Sequence, residues 1–436
     1  MLLKNLDRFK VSTTDQSVTS YAGLVLPLGM GRSLGLDKDL NGLSLKERNR
    51  GYQPAEVGFT LMGLIQAGGE ALDDVKHLSG DAGLKTLLGT IPAANTLGQW
   101  LMRFTGALVC RLGWIQLRLA VKVIRRVKLK RVTLDVDAFF VDSQKDGVAM
   151  SYEGRLGYCP VMVTCAELGM PMAGLFRKGN ASPMANLAAL LSRVIEALQN
   201  EIPGIEIRLR SDSAGYQAKV IKVCEQAKLG FTITARMDDS VKATIQEIPA
   251  EHWVKLESEA WPGRETEVAE TLQVMGDKET SAHRLLVIRW KKEQLELLDQ
   301  DPYSYHAVLD GLEQWTAGLT LQFHRNRQAG SEHVNEAIKS GFGMSKLPCG
   351  EFMANAAYFQ FALLSATVFC AWKHLTLPPE WKPLTIQTVR FRMIHLAGIV
   401  SRRARSLWLK IPAGYPLKEV FEEARWGVLG AAAQTS

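Results

Sequence analysis

The stretch "RVTLDVDAFF", residues 131–140, decides how the chain can fold. Its polar and apolar residues alternate, which predicts a strand. Because side chains alternate across a strand, Asp135 and Asp137 face the same way. Two ionised carboxylates at such a short separation repel each other and resist burial, unless a cation or hydrogen bonds offset the electrostatic cost. A bound metal ion is the simplest explanation for this pair.

A regular order of elements extends from this strand. Periodicity predicts, in chain order, strands at 131–141, 160–168 and 171–177, a helix at 182–200, a strand at 205–212, a helix at 214–229 and a strand at 230–236. Three strands followed by helix, strand, helix and strand form the order of a ribonuclease-H-like α/β core. We therefore predict an α/β fold of this type.

The rest of the chain is predicted to surround that core. We expect a helical N-terminal domain before it, a β-rich insertion within it, and a basic helical C-terminal region after it. The predicted boundaries are 1–125 for the N-terminal domain, 126–236 for the first part of the core, 237–322 for the insertion, 323–375 for the end of the core and 376–436 for the C-terminal region.

Further acids stand where such a core could use them. Asp212 ends the fourth predicted strand, in "LRSDSAGY", where an Asp is equally typical of a helix N-cap. On a later predicted helix, Glu332, Glu336 and Lys339 fall within an arc of about 60°, although a solvated helix face has the same pattern. Together, acids on two strands and a helix are the hard oxygen ligands of a two-magnesium phosphoryl-transfer site.

Positive charge is segregated along the chain, although the net charge is only +7. Residues 83–134 contain ten Lys or Arg and no acid, and residues 381–418 contain eight and no acid. Segregation of this kind predicts a polyanionic partner, because neutralising phosphates releases counterions. A solvated basic face without a partner is the alternative. In the first block, four bases recur at helical spacing and form one face: Arg118, Lys122, Arg125 and Arg126.

The remaining composition predicts an intracellular globular protein. The N-terminus has no apolar run of signal-peptide length. The six Cys form no C-x-x-C pair and have no His at ligand spacing, which favours reduced thiols over a structural zinc. Residues 352–372 are uncharged and long enough to span a bilayer, but four polar residues interrupt them. We expect a buried core helix and no membrane, with a membrane helix as the alternative.

Four parts of the sequence carry a family resemblance. They contain "GLIQAGGEALDDVKHLSGDAGLKTLLG" with "TLGQWLMRF", then "LDVDAFF", then "GNASPMANLAALL" through "IEIRLRSDSAGY" and "FTITARM", and finally "GSEHVNEAIKSGFGMSKLPCGEFMANAAYFQ". The most specific motifs are R-x-D-S-x-x-Y and the K-L-P-C run that leads into F-x-A-N-x-A. With these motifs the chain resembles the DDE transposases of bacterial insertion sequences, and within them the IS1380 group, over nearly its whole length.

The resemblance implies a catalytic site and a reaction. By position, the three acids of the family match Asp137, Asp212 and Glu332, with Asp135 as the neighbouring acid. In enzymes of this kind, the acids bind two Mg²⁺ ions, which Mn²⁺ can replace. They support attack by water at the transposon end, after which the freed 3′-hydroxyl attacks target DNA in line.

The resemblance also implies DNA contacts around the third acid. The wider clan has a Tyr-x2-Arg-x3-Glu-x6-Lys signature, of which Glu332 and Lys339 keep the spacing. Arg325 takes the Tyr position and Gln328 the Arg position, so the contacts of this helix are altered. Lys339 is expected to contact a phosphate of the transposon end, with Arg325 or Arg327 substituting for the missing signature residues.

Other partners and the location follow from the same resemblance. The basic helix 118–131 is expected to bind the terminal inverted repeat, which makes 1–125 a DNA-binding domain. The Thr expected after the first Asp pair is replaced by Phe139. Pairing two transposon ends requires a homodimer or higher oligomer. The expected location is the bacterial cytoplasm, in association with the nucleoid.

Three other functions share part of this pattern. "DVDAFF" resembles the first metal motif of lesion-bypass DNA polymerases, but the later Ser-x-Asp-Glu of those enzymes is missing. "DVD" after an apolar strand also resembles the haloacid-dehalogenase phosphatases, which would use Asp135 as a nucleophile and need a later Gly-Asp-x3-Asp-like loop that is missing too. The third alternative is a catalytically inactive DNA-binding regulator derived from a transposase, which the altered signature at Gln328 keeps open.

Overall fold

The architecture is mixed α/β, built on one large mixed sheet with helices around it. The structure is a computed structural model, and it describes residues 9–43, 45, 51–256, 265–275, 280–292, 301–312 and 314–433, without the side chains of Gln328 and Ala329. The strands are β1 Ser17–Thr19, β2 Arg131–Ala138, β3 Val141–Asp142, β4 Ala149–Met150, β5 Leu156–Tyr158, β6 Val161–Cys165, β7 Met170–Leu175, β8 Glu206–Ser211, β9 Gly230–Thr234, β10 Val254–Lys255, β11 Thr266–Gln273, β12 His283–Lys291, β13 Tyr303–Asp310, β14 Gly398–Arg403 and β15 Ser406–Lys410.

Helices occupy the two ends of the described chain and the connections between the core strands. The α-helices are α1 Val25–Ser33, α2 Leu36–Asn41, α3 Pro54–Ala67, α4 Val75–Gly80, α5 Ala82–Leu88, α6 Ala94–Leu101, α7 Gly106–Val127, α8 Leu187–Glu201, α9 Ala218–Gln226, α10 Asp239–Gln246, α11 Ala317–Glu336, α12 Phe352–Thr376, α13 Ile386–Val389 and α14 Lys418–Ala433. Two π-helical segments, Ala337–Gly341 and Arg390–Ile394, follow α11 and α13 directly.

The centre of the large sheet has the element order predicted from the sequence. Strand β2 pairs antiparallel with β6, and β6 pairs antiparallel with β7. On its other side, β2 pairs parallel with β8, and β8 pairs parallel with β9. Helix α8 precedes β8 and helix α9 precedes β9, as parallel strands require a crossover. The strands of this part begin and end within a few residues of their predicted bounds, and β2 ends at Ala138.

The insertion continues the same sheet. Strand β13 pairs antiparallel with β9, and β12, β11 and β10 follow outward, so that the sheet has nine strands in the order β10-β11-β12-β13-β9-β8-β2-β6-β7. Strands β11, β12 and β13 lie within residues 237–322, where a β-rich insertion was predicted. Strand β11 and helix α10 were not predicted, because charged residues interrupt the apolar pattern of both segments.

The N-terminal helices share their hydrophobic core with the sheet. A single cluster of buried side chains runs from α1 through α7 and the central strands to α12 and α14. Helix α7 crosses the predicted boundary at residue 125, ends at Val127, and packs against α8, α12 and β7. The N-terminal region is helical as predicted, apart from β1, which pairs with β14 near the other end of the chain.

Helix α12 has the length and hydropathy of a membrane span, the one such helix in the described ranges. In the structure 89% of its most apolar window is buried, against α1, α3, α6, α7, α14 and β7. Its polar side chains bond to neighbouring backbone, as when Nε2 of Gln360 donates to the Gly174 carbonyl at 3.0 Å and Oγ1 of Thr367 donates to that of Pro171 at 3.2 Å. This packing favours the core-helix interpretation.

The C-terminal region is not helical throughout, so this part of the prediction is wrong. Strands β14 and β15 form a hairpin between α13 and α14. Its two-residue turn consists of Ala404 and Arg405, with φ values of 46° and 66°. Such turns usually carry Asn or Gly, because L residues with larger side chains rarely adopt positive φ. Without that signature, the alternating residues of β14 and β15 were not recognised as a hairpin.

Candidate active site

Two of the predicted acids leave the sheet side by side. In the parallel pairing of β2 with β8, Val136 lies opposite Ser211. The next residue on each strand is an acid, Asp137 on β2 and Asp212 after β8. Both therefore stand at the carboxyl ends of adjacent parallel strands, where open α/β sheets bind their ligands. Acids 75 positions apart in the sequence thus share one edge of the fold.

Asp137 is partly buried and carries a strongly perturbed carboxyl group. Burial is the largest cause that raises its pKa to about 6, and the negative charge of Asp212 raises it further. The positive charge of Arg327 opposes this rise. Oδ1 accepts the Ala138 N–H at 2.9 Å, and Oδ2 accepts the side-chain amide of Asn335 at 2.8 Å. Asp137 is thus a half-buried acid held beside a second one, which is a frequent property of functional sites.

Asp212 caps the 3₁₀ turn Ser213–Gly215 that follows β8. Its Oδ1 accepts the Ala214 N–H at 2.9 Å, so the N-cap interpretation of this Asp holds in the structure. Its Oδ2 makes no hydrogen bond within the described part of the chain. A Cβ at Gly215 would lie 2.4 Å from Oγ of Ser211, so only glycine lets this turn fold back onto the strand. The turn therefore aims one carboxylate oxygen of Asp212 outward for another partner.

Asp135 has a different environment from Asp137, although both face helix α11. It lies opposite Arg210 in the β2–β8 pairing. Nε and Nη2 of Arg210 donate to its two oxygens at 2.6 and 2.7 Å, and both side chains are buried. Arg210 also donates to the Phe323 carbonyl of α11 at 2.9 Å. The metal role predicted for Asp135 does not fit this bidentate contact, since Arg210 already compensates its charge.

Helix α11 lies across β2, β8 and β9 and supplies the other side of the site. It is anchored by the buried His324, whose ring nitrogens lie 3.0 Å from Oγ1 of Thr232 and 2.9 Å from Oγ1 of Thr234. Burial lowers the pKa of His324 to about 3, so the ring is neutral at ordinary pH. This anchor fixes which face of α11 turns toward the acids.

The third predicted acid does not contact the other two. Glu332 is exposed, as is Glu336, whereas the buried Asn335 bonds to Asp137. The face predicted to carry Glu332 and Glu336 is therefore turned to solvent, which is the alternative that the sequence left open. Residue Lys339 lies in the π-helical segment, with its Nζ 5.4 Å from the centre of the Phe139 ring. Lys339 thus stands close to the end of β2.

Oxygen donors for a divalent cation are present, but the set is incomplete. Asp137 and Asp212 are hard ligands of the kind that Mg²⁺ prefers, and their mutual repulsion is what a cation would relieve. No group of three or more His, Cys, Asp or Glu residues that could hold a metal occurs in the described ranges. The site therefore fits a cation held by two protein carboxylates, with further ligands still to be supplied.

The predicted DNA-binding residues of α11 lie at different depths. Arg325 is exposed, and Arg327 is partly buried near the acids, where burial raises the pKa of both Asp135 and Asp137 and the charge of Arg327 opposes that rise. Gln328, which replaces the signature Arg, has a side chain outside the described residues. Arg327 is therefore placed to act on the acids themselves as well as on a bound phosphate.

The bases of the basic face of α7 contact other parts of the same chain. Each of its four bases has a partner in the chain: Arg118 pairs with Asp39 at 3.4 Å, Lys122 donates to the Leu34 carbonyl at 2.6 Å, Arg125 pairs with Glu201 at 3.3 Å, and Arg126 donates to the Ala431 carbonyl at 2.9 Å. Burial lowers the pKa of Lys122 and that of Arg126. These contacts account for much of the basic face, and its binding to DNA stays a prediction.

Two residues of the site, Arg210 and Asn335, were not predicted from the sequence. Arg210 and Asp212 alternate on one strand as Asp135 and Asp137 do on the other, so an in-register parallel pairing would have placed base against acid and acid against acid. That signal was available once the two strands were predicted to be neighbours. Asn335 gave no comparable signal, because an amide on an amphipathic helix is common on any face.

A family profile described as "Transposase DDE domain group 1" matches residues 3–427. A search of curated protein sequences finds no significant match. Among solved structures, the chain resembles a piggyBac transposase in a synaptic complex with hairpin DNA, with 10% identity, 97% of this chain and 83% of that chain covered, and a TM-score of 0.43, a likeness on which we base no conclusion. Because the profile covers far more than half of the sequence, the chain belongs to the transposase DDE domain group 1 family.

Proposed function

We propose that this transposase cleaves DNA at the ends of its own element and joins the freed 3′ ends to target DNA, as a metal-dependent nuclease and strand transferase. Within the family we assign it to the IS1380 group, with a ribonuclease-H-like catalytic core formed by β7-β6-β2-β8-β9 and α11. The observation that carries the proposal is the pair Asp137 and Asp212 at the carboxyl ends of β2 and β8.

The paired acids support a cation-dependent reaction. A carboxyl group with a pKa near 6 beside a second carboxylate is costly to keep ionised, and this cost favours a divalent cation at the same place. We propose Mg²⁺ as that cation, two ions per site, with Mn²⁺ able to replace it. Bound there, the ions would activate the attacking oxygen and neutralise charge on the scissile phosphate.

The protein's own groups would do the rest of the work. Asp137 and the outward oxygen of Asp212 would hold the ions, and Asn335 would keep the Asp137 carboxylate in a fixed orientation through the bond to its Oδ2. Arg327 and Lys339 would receive phosphates of the DNA near the end of β2. Arg210 would hold α11 against the sheet through its hydrogen bonds to Asp135 on β2 and to the Phe323 carbonyl on α11.

The third ligand in this proposal is Glu332, which must approach the other acids when DNA and metal bind. Glu332 precedes Asn335 by three residues, which separates them by about 60° around the helix and about 4.5 Å along it. To exchange one for the other, the part of α11 that follows the His324 anchor would have to rotate by about 60° and shift by about 4.5 Å. The π-helical segment that follows α11 supports a functional role for this part of the chain, because such segments are rare and occur frequently at functional sites.

A second candidate function rests on the hydrogen bond from Asn335 to Asp137. In the structure an amide, not an acid, bonds to Asp137, which would suit a DNA-binding regulator that no longer cleaves. Both functions share the proposed partners: double-stranded DNA at terminal inverted repeats and target sites, and a second copy of the chain in the synaptic complex. We propose the bacterial cytoplasm, at the nucleoid, as the location of either.

The two candidates differ in what Glu332 does. Its replacement in Glu332→Gln should reduce Mg²⁺-dependent nicking of a labelled transposon end at least 100-fold, because an amide is a much weaker cation ligand than a carboxylate. Glu336→Gln is the matched control, since it makes the same change on the same exposed part of α11 and should keep nicking within a few-fold of wild type. Equal activity of the two variants would exclude Glu332 from the site, and no nicking by the wild type would favour the regulator.

Asp137 should also affect stability in a pH-dependent way. Its folded-state pKa of about 6 exceeds the unfolded value of roughly 4, so its charged form costs the folded protein free energy that is absent below about pH 4 and complete above about pH 6. Asp137→Asn should therefore raise the free energy of unfolding of the metal-free protein at pH 7.5 by about 2 kcal/mol, with little effect at pH 4. Denaturant unfolding at both pH values measures this difference.

The control for that measurement is Asp239→Asn, which makes the same change at an exposed position on α10. This variant should have wild-type stability at both pH values. A loss of stability in Asp137→Asn at pH 7.5 would mean that the ionised carboxylate of Asp137 stabilises the folded protein, contrary to the free-energy cost described above.

A further inference from the structure

The hairpin β14–β15 projects from the body of the protein. Near its base, β14 pairs with β1 from Gly398 to Val400. Beyond Val400, β14 pairs with β15 alone, through Arg403 opposite Ser406. All residues from Arg402 to Trp408 are exposed. The distal half of the hairpin is therefore a two-stranded ribbon with solvent around it.

The ribbon has a strongly positive, acid-free surface. Arg402, Arg403 and Arg405 cluster at its tip, and Lys410 lies on β15. The side chains of these four bases make no hydrogen bond or ion pair with the described part of the chain, although the backbones of the hairpin pair with each other. This distinguishes them from the four bases of α7, each of which has a partner within the protein. Charge left uncompensated on an exposed ribbon is typical of a surface that meets a polyanion.

An exposed aromatic residue lies among these bases. Ser401 is opposite Trp408, and Ile399 is opposite Lys410, so that Arg403, Trp408 and Lys410 lie on one face of the ribbon. The Trp408 side chain is 56% exposed. The opposite face, with Val400 and Leu409, turns toward the core. Bases and an indole therefore share the outward face, which is a combination found in nucleic-acid interfaces.

The backbone of the ribbon is built to keep this shape. Its tip closes in two residues, Ala404 and Arg405, both at positive φ. Turns of that type match the right-handed twist of the strands that they connect, so the ribbon is narrow and regular. At its base, a Cβ at Gly398 would lie 2.8 Å from Cδ1 of Leu409 and 3.0 Å from Cβ of Ala22, which shows how closely the base is packed. A narrow ribbon on a packed base can enter a groove without reorganisation.

We infer that the β14–β15 hairpin is a duplex-DNA-binding element that inserts its arginine tip into the major groove. The major groove admits a two-stranded ribbon, and the phosphates on either side of it complement the acid-free surface. This inference rests on the proposed function, because it takes DNA as the partner. It adds a DNA contact outside the acids and outside the basic face of α7, and it names duplex DNA, not a second copy of the chain, as the occupant.

The test is binding of a labelled random-sequence duplex, measured by fluorescence anisotropy without divalent metal. The triple variant Arg402→Gln, Arg403→Gln, Arg405→Gln should weaken binding about 10- to 100-fold near 0.1 M salt, and should reduce the slope of log affinity against log salt by about two to three. The single variant Arg405→Gly should fold well, since glycine suits positive φ, and should weaken binding by a smaller factor.

A matched triple variant controls for net charge. Lys76→Gln, Lys242→Gln and Lys255→Gln remove the same charge from exposed positions on α4, α10 and β10 and should leave affinity within about two-fold. Equal binding by the hairpin variant and this control would overturn the inference alone. A wild-type protein that binds no duplex would overturn the proposed function as well.

A second copy of the chain is the rival occupant. Sedimentation velocity of the wild type and of Trp408→Ala, without DNA, tests it. A wild-type dimer that dissociates in Trp408→Ala, together with unchanged DNA affinity of the arginine variant, would assign the ribbon to dimer formation and contradict our inference. An unchanged sedimentation profile with weakened DNA binding supports it.

Discussion

Asp212→Asn is expected to abolish metal-dependent cleavage of the transposon end, by at least about 1,000-fold. The change is nearly isosteric, and the side-chain oxygen of Asn can still accept the Ala214 N–H, so the cap on Ser213–Gly215 survives. What disappears is the charge of the outward oxygen, and with it the ability of Asp137 and Asp212 to hold a cation together. Nicking of an end-labelled duplex in Mg²⁺ measures the effect.

The same substitution at another cap separates structure from catalysis. Asp238 caps α10 by accepting the Val241 N–H at 3.0 Å. Asp238→Asn should keep wild-type cleavage, and both variants should bind duplex DNA as the wild type does. If Asp212→Asn cleaved as well as Asp238→Asn, the residue would be a helix cap and nothing more.

Arg210→Met should have the largest effect on stability. The variant leaves the carboxylate of Asp135, which is 1% exposed, buried without its cation. Breaking one partner of a buried ion pair typically costs about 3–5 kcal/mol, a large part of the stability of an ordinary domain. The bond from Arg210 to the Phe323 carbonyl is lost as well, so α11 should loosen over the sheet. Denaturant unfolding at neutral pH provides the measurement.

Two further variants locate the cause of that loss. Arg125→Met removes an exposed pair with Glu201 and should cost at most about 1 kcal/mol. The double variant Asp135→Leu, Arg210→Met removes both charges and should recover much of the stability lost in Arg210→Met, because an apolar pair carries no desolvation cost. A double variant that is no more stable than the single one would mean that packing, not the unpaired charge, explains the effect.

The central strands were predictable because their chemistry is local. Alternation in "RVTLDVDAFF" defines β2 and puts Asp135 and Asp137 on one face, whatever the rest of the chain does. Alternation in "IEIRLRSD" does the same for β8, with Arg210 and Asp212. The register between the two strands is a tertiary property, and it alone makes Asp135 an ion-pair partner of Arg210 while Asp137 meets Asp212.

Helix α11 shows why the third acid could not be placed in the same way. Periodicity distinguishes the buried side, with Val334 on α11 and Ile338 in the π-helical segment after it, from the rest of the surface. Asn335 lies on the buried side and Glu332 is exposed about 60° around the helix from it, and the contacts of His324 and Arg210 decide which of them reaches Asp137. Those contacts involve strands distant in sequence, so no pattern within the helix contains them.

The basic segments illustrate the same limit. The spacing of the bases on α7 was correct, but their partners come from α2, α8, α14 and the turn between α1 and α2, none of which is near them in sequence. In the C-terminal block, charge was recognised and the hairpin was not, because the turn at Ala404 and Arg405 lacks the residues that usually form it. Where charges lie uncompensated depends on tertiary contacts, which composition cannot show.

We propose that Asp137 and Asp212 hold the divalent cation of a DNA-cleaving site. The most direct test is a crystal structure of the protein with a transposon-end duplex and Mn²⁺, in which anomalous scattering locates the metal. We predict a manganese peak bound by both carboxylates, with Glu332 drawn in from α11. A manganese ion held elsewhere, in a complex that cleaves its DNA, would contradict the account.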